Sequence, residues 1–173
     1  MNEAVAGRTP TGAFSAPAAA RLIALLLPAA LLIGAFGSQY FGGLYPCEMC
    51  WWQREAHMVA LVIAASSFTA TAGSSRSRGL VLLAAAAIAV SGAIGVYHAG
   101  VEAQVFEGFT TCDTLPKAAS NADLLRQITH APLARCDEVQ FRFLGISMAG
   151  WNAIISLSGA AVIVLLSLKP RRA

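Results

Sequence analysis

Charged positions along this chain are grouped, and the intervals between the groups are long and apolar. No Asp, Glu, Lys or Arg occurs in 22–47, 56–75, 79–101 or 143–168. At about 1.5 Å of rise per residue, each interval can cross the roughly 30 Å hydrocarbon layer of a bilayer as a helix. Helix is the expected state there, because a backbone in lipid must satisfy its own hydrogen bonds. Helices are predicted near 22–41, 51–72, 80–101 and 146–168. Pro28, Gly34 and Gly92 fall inside them, as membrane helices tolerate. The expected fold is an all-α membrane protein: one four-transmembrane-helix bundle over 22–168, with tails at 1–21 and 169–173. Two outer loops, about 42–50 and 102–145, carry the cysteines.

Composition supports a membrane as the solvent. Of 173 residues, 57% are apolar and 12% charged, against about 45–50% and about 25% in soluble domains. The net charge of +3 gives no reason to expect a nucleic-acid partner. Its distribution is more informative. Arg8 and Arg21, then Arg76 and Arg78, then Lys169, Arg171 and Arg172 mark the N-terminal tail, the middle turn and the C-terminus. With four helices all three basic segments face one side, which should be the cytoplasm. Both termini are therefore expected in the cytoplasm, and Cys47, Cys50, Cys112 and Cys136 outside it. Disulfides persist in such an oxidising compartment. Four cysteines allow three pairings. Cys47–Cys50 and Cys112–Cys136 are favoured because each closes within one loop.

Cys47-Glu48-Met49-Cys50 has the two-residue spacer of exchangeable dithiols. Cys112 and Cys136 stand too far apart to complete a four-cysteine zinc site, and Trp51 occupies the place of the histidine that covalent haem attachment needs, so no metal is expected. Pro46 precedes the dithiol and an apolar segment begins at Trp51, which puts Cys50 near a helix N-terminus where an anion is favoured. Arg54 lies one turn beyond Cys50. Either it stabilises the Cys50 thiolate and an acceptor in the membrane, or it snorkels to the headgroups. Trp51 and Trp52 read as interfacial anchors. Gln53 is given no role, and His57 no claim beyond its place one turn later. His98, near the outer end of the third helix with Glu102 four residues on, is a candidate because ionisable groups in membrane spans are rare. It can bond a quinone carbonyl or sit as a polar residue satisfied by Glu102 or Tyr97. In the second loop, Ser120-Asn121-Ala122-Asp123 reads as a helix start, with Leu124, Leu125 and Ile128 on one face and Pro132 at the end.

The ordered set of motifs resembles the DsbB family of bacterial membrane proteins. The resemblance rests on Pro46-Cys47-Glu48-Met49-Cys50 with Trp51-Trp52-Gln53-Arg54, Tyr97-His98-Ala99-Gly100, Thr111-Cys112-Asp113, Cys136-Asp137, and Phe143-Leu144-Gly145 with Met148. It implies a thiol:quinone oxidoreductase of the bacterial inner membrane that reoxidises a periplasmic thioredoxin-fold oxidase (DsbA-like) and so supports disulfide formation in periplasmic proteins. Cys112 would be attacked by the partner's thiolate, with Cys136 its loop partner. Cys47 would exchange with that pair, and Cys50 would pass electrons to a bound quinone, ubiquinone in preference to menaquinone. Arg54 and His98 would line the quinone pocket. The vitamin K epoxide reductase family combines similar parts, but there the loop cysteines precede the C-x-x-C; here they follow it.

Overall fold

The computed structural model describes residues 15–108, 120–122, 125, 129 and 134–169. Among them the chain forms four long helices: α1 Ala16–Tyr40, α2 Glu48–Ser66, α3 Ser75–Glu102 and α4 Met148–Leu168. A single 3-10 turn, Ser67–Thr69, follows α2, and a two-stranded hairpin, β1 Arg142–Phe143 and β2 Ile146–Ser147, precedes α4. α1, α3 and α4 are long and apolar enough to cross a membrane; α2, which carries Glu48, Arg54 and Glu55, is not among them.

α1 and α3 start ahead of their charge-free intervals and α2 stops short of the end of its own, each for a physical reason. α1 begins six residues ahead of the expected start, with Pro17 in the first turn, where its missing N–H leaves nothing unpaired. Arg21 thus lies within the helix. Its guanidinium donates to the carbonyls of Ser67 and Ala70, at 3.3 and 2.8 Å, and lies 4.2 Å above the Phe68 ring. The same carbonyls leave the helical ladder, and α2 stops at Ser66 instead of near 72. α3 starts at Ser75 instead of near 80, because Ser74 caps it by accepting the Ser77 N–H. At α4 the expected first residues, Ile146 and Ser147, belong to β2, which pairs antiparallel with β1. Leu144 and Gly145 between the strands have φ of 51° and 80°, the left-handed pair that a two-residue hairpin turn requires. Ser147 then caps α4 at Gly150 N.

α3 packs against both α2 and α4, and α1 closes the bundle against α2 and α4. The inner half of the core is made of small side chains: Ala20, Ala24, Ala60, Ala64, Ala84, Ala85 and Ala160, with Val81, Ile88 and Ile163. In lipid, apolar surface alone does not hold helices together, so close backbone approach supplies the attraction. Gly95 shows how close. A Cβ there would lie 3.0 Å from the Ala149 carbonyl oxygen and 3.1 Å from Ala153 N, both backbone atoms of α4. Large apolar chains such as Leu26, Ile33, Val62, Leu83 and Leu165 point outward, where a bilayer would solvate them.

At the outer end the second loop returns to the bundle. Ala134 and Cys136 are buried with Cys47, Met49 and Val101, and Tyr97 packs beside them. Gln140 Nε2 donates to the Tyr45 carbonyl at 2.8 Å, tying the second loop to the first. Asn121, Ala122, Leu125 and Thr129 are helical, in keeping with the expected loop helix. Asp123, Leu124, Ile128 and Pro132 lie outside the described residues, as does Cys112.

Candidate functional site

The site begins where α2 begins. Cys47 is extended (φ −76°, ψ 176°) and is the N-cap of α2; its Sγ accepts the Cys50 N–H at 3.4 Å. The two-residue spacer of the dithiol is therefore the spacing of an N-cap to the third helical residue. This differs from the expectation that the free N–H groups would serve Cys50: the sulfur they hold is that of Cys47. The Cys50 Sγ lies 3.3 Å from Cys47 Sγ.

His98 comes from α3 to the buried side of the dithiol. Its Nε2 is 3.5 Å from Cys47 Sγ and 3.9 Å from a Glu102 carboxylate oxygen, and its Nδ1 is 2.9 Å from Gln53 Nε2. Gln53 is oriented by its other bonds. Its Nε2 donates to the Met49 carbonyl at 3.1 Å, and its Oε1 accepts from Asn152 Nδ2 at 2.8 Å. His98 Nδ1 must therefore accept, and Nε2 carries the hydrogen toward Cys47. Asn152 continues the chain. Its Nδ2 also reaches Ser91 Oγ at 3.2 Å, while its Oδ1 is 2.9 Å from His57 Nε2 and 3.0 Å from Ser156 Oγ. An unbroken polar network thus runs from the dithiol through α3, α2 and α4.

Cys136 stands on the other side of Cys47. The sulfurs of Cys47 and Cys136 and a ring nitrogen of His98 all lie within 4.8 Å of one another, and all three residues are buried. Two sulfurs and an imidazole are a soft donor set of the kind that binds zinc. The network assigns His98 Nε2 a hydrogen, however, which removes the lone pair a metal would need at that atom. The arrangement suits sulfur exchange: a sulfur from each outer loop meets at one point.

The charges at the dithiol are unequal. The Cys47 thiol is pushed well up by its hydrogen bonds to Cys136 and Cys50 and by burial. Cys50 lies in the first turn of α2, where the Cys47 S–H points to its sulfur at 3.3 Å and the positive charge of Arg54 stands one turn along the helix. The first proton lost therefore leaves Cys50, with Cys47 S–H donating to the thiolate. A thiolate is the reactive form.

Arg54 does not snorkel. It is buried, and its guanidinium donates to Gln39 Oε1 and, at 3.0 Å, to the Ala35 carbonyl of α1. The rings of Phe36 and Trp51 lie 4.9 and 5.3 Å from its central carbon. Beside it, between α1, α2 and α4, is a cavity of about 190 Å³. Leu31, Leu32, Phe141, Phe143 and Trp151 supply apolar walls, and Cys50, Gln53, Arg54, His57 and Asn152 supply the polar edge. A smaller cavity of about 60 Å³ lies beneath the second-loop residues Arg135, Glu138 and Gln140 and is lined also by Cys47, Cys50, Arg54, His98 and Glu102. The structure thus brings together Cys47, Cys50, Cys136, Arg54 and His98. Cys50 and Arg54 border both cavities, whereas His98 borders only the smaller one and is engaged by Gln53, by Cys47 and by the backbone of Cys136.

Three participants were not assigned roles from sequence: Gln53, His57 and Asn152. Asn152 carried a legible signal, since it is the one amide side chain within the charge-free stretch 143–168 and polar groups in such stretches need partners.

Comparison with known proteins bears on this geometry. The family model described as disulfide bond formation protein DsbB matches residues 17–166. A protein named disulfide bond formation protein B from Polaromonas sp. is 29% identical over 85% of this chain and 92% of its own. Proteins of the same name from Marinobacter nauticus and Chromohalobacter salexigens are 28% and 29% identical, covering 76% and 85% of this chain and 80% and 86% of their own. No solved structure matches.

Proposed function

The chain belongs to the DsbB family of disulfide-forming membrane oxidoreductases, and from that premise we propose that it carries electrons from a periplasmic thioredoxin-fold dithiol oxidase to a membrane quinone. The observation that carries this reading is the position of the Cys47–Cys50 dithiol, with a second-loop sulfur on one side and an apolar cavity with a polar rim on the other. One dithiol cannot readily serve both a water-soluble protein and a lipid-soluble ring. Here Cys47 faces Cys136 and Cys50 borders the cavity, so the two duties fall to different sulfurs.

In this reading the partner's thiolate attacks Cys112 of a Cys112–Cys136 disulfide and leaves oxidised. Cys136, released as a thiolate, attacks Cys47 of the Cys47–Cys50 disulfide and expels Cys50 as a thiolate. Cys112, freed when the partner's second thiol completes its own disulfide, then attacks Cys136, re-forms Cys112–Cys136 and leaves both electrons on the Cys47/Cys50 dithiol. His98 Nε2–H holds the Cys47 sulfur, and Cys47 in turn holds the Cys50 thiolate. The cavity fits a quinone: its walls are apolar, the Arg54 guanidinium stands at its rim, and a buried ring nitrogen of His57 is without a hydrogen-bond partner among the described residues. A quinone would take up two electrons and two protons there, re-forming a disulfide for each hydroquinone released. Arg54 would orient a quinone oxygen beside Cys50. The expected contact between quinone and His98 is less well supported than one with Arg54, because both His98 nitrogens already have partners.

Three apolar helices fit a multi-pass membrane protein. We place α2 in the inner membrane as a fourth span, with both termini and the Arg76/Arg78 turn cytoplasmic. This accords with the shared side of the basic segments and with the burial of Arg54 against α1. The test is quinone reduction by the purified full-length protein, supplied with a reduced thioredoxin-fold oxidase. One hydroquinone is expected per dithiol oxidised, with coupling lost in Cys112→Ser. Partner oxidation without quinone reduction, or at the normal rate in Cys112→Ser, would refute the relay.

A further inference from the structure

The polar network and the apolar cavity share a boundary, and His57 stands on it. His57 is 3% exposed, lies one turn along α2 from Gln53 and lines the larger cavity. Its protonation can be read from its neighbours. Asn152 Nδ2 is committed to Gln53 Oε1 and to Ser91, so Asn152 Oδ1 is an acceptor. His57 Nε2, 2.9 Å from that oxygen, must carry the hydrogen. Nδ1 is then a bare lone pair, and it has no hydrogen-bond partner among the described residues. Since Nε2 is taken by Asn152, with Ser156 Oγ 3.3 Å away, Nδ1 is the only ring nitrogen left for an occupant of the cavity. A buried acceptor without a donor is costly. What it lacks is an O–H or N–H.

The two redox forms of a quinone differ in just this respect, because a quinone ring offers only acceptors and a hydroquinone offers two hydroxyl donors. We propose that His57 is a ligand-contact residue of the cavity, with Nδ1 accepting a hydrogen bond from a hydroxyl of the hydroquinone. The proposal rests on the reading that the cavity takes a quinone. It gives the site a preference for the reduced ring, worth about tenfold for one added hydrogen bond. By linkage, tenfold tighter binding of the reduced form makes the bound quinone a stronger oxidant by about 30 mV for a two-electron couple. The two histidines then have separate tasks: His98 faces the sulfur and His57 faces the ring.

The two nitrogens can be tested separately, because Gln places its amide near the Nε2 position and Asn places its own near Nδ1. Binding of a short-chain benzoquinone and of its hydroquinone is measured anaerobically by equilibrium dialysis, using full-length protein in nanodiscs. A Cys50→Ser background prevents turnover during the titration. In that background the hydroquinone should bind about tenfold more tightly than the quinone. His57→Gln should erase the preference by weakening hydroquinone binding about tenfold relative to quinone, and His57→Asn should retain most of it. Any other pattern overturns the proposal. Retention in Gln with loss in Asn would assign His57 to holding Asn152. Equal binding of the two rings by the parent would overturn this inference and leave the quinone reading standing. Binding of neither ring would overturn both.

Discussion

The two ends of the helix bundle are built from the same helices by opposite means. The inner end is packed mainly from alanines, with Val81, Ile88 and Ile163, and Arg21 adds hydrogen bonds to the Ser67 and Ala70 carbonyls. The outer end buries Gln53, His57, Ser91, His98 and Ser156 in one network joined through Asn152, and Arg54 beside it on Gln39 and Ala35. Shape specifies the first region and satisfiability specifies the second. An alanine interface tolerates small adjustments of backbone and lipid. A hydrogen-bonded chain in a low-dielectric interior does not, because each group removed leaves a partner unpaired. The chemistry sits in the region that is harder to keep satisfied, and the inner region holds the helices in the register it needs. Gly95 links the two: the close approach it allows between α3 and α4 brings Asn152 within reach of Ser91 and Gln53.

Substitutions at the two ends should therefore separate activity from stability. The largest effect on turnover is expected for Gln53→Leu, which conserves volume but leaves His98 Nδ1 without its partner and takes one bond each from the Met49 carbonyl and Asn152 Nδ2. Stability should fall by about 1–3 kcal/mol. Turnover should fall by more than that loss explains, because His98 is no longer held in the tautomer that faces Cys47. Normal turnover in the folded variant would show that the network is only structural. Next comes Arg54→Lys. It keeps the charge but loses the planar fork that reaches Gln39 and Ala35 together. The apparent Michaelis constant for quinone should rise about tenfold, the worth of one charge-assisted hydrogen bond. Thiol exchange with the partner should be unaffected. An unchanged constant would remove Arg54 from the quinone site. The smallest effect on turnover is expected at the inner end. Ala84→Leu overfills a fully buried position and should cost about 1–3 kcal/mol, seen as a lower unfolding temperature in detergent. The turnover of the protein that remains folded should not change.

The same contrast decides what the sequence made visible. The cores of the four helices were legible, because a charge-free interval of that length has few other uses. The inner ends of α1 and α3 were not, because Arg21, Arg76 and Arg78 lie within those helices; Arg21, for one, donates to carbonyls from another turn. The dithiol and Arg54 were legible from local spacing. The network was not: Gln53 meets His98 45 residues away and Asn152 99 residues away, and no local pattern records such pairs. The meeting of Cys136 with Cys47 was expected only through the family resemblance, which has Cys47 exchange with the second-loop pair; local spacing did not record it. Ease of loop closure favours partners within one loop, whereas here burial against Met49 and Val101 brings Cys136 across to the other.

That meeting is the central claim, because an electron relay between the two outer loops requires Cys47 and Cys136 to react with each other. It is tested most directly in the full-length protein carrying Cys50→Ser and Cys112→Ser, which leaves only those two sulfurs. After mild oxidation in the membrane, the remaining thiols are alkylated and the disulfides mapped by mass spectrometry. A Cys47–Cys136 bond within one chain, formed in most molecules, is the predicted result. Recovery of both cysteines as alkylated thiols, or bonded only between chains, would contradict it.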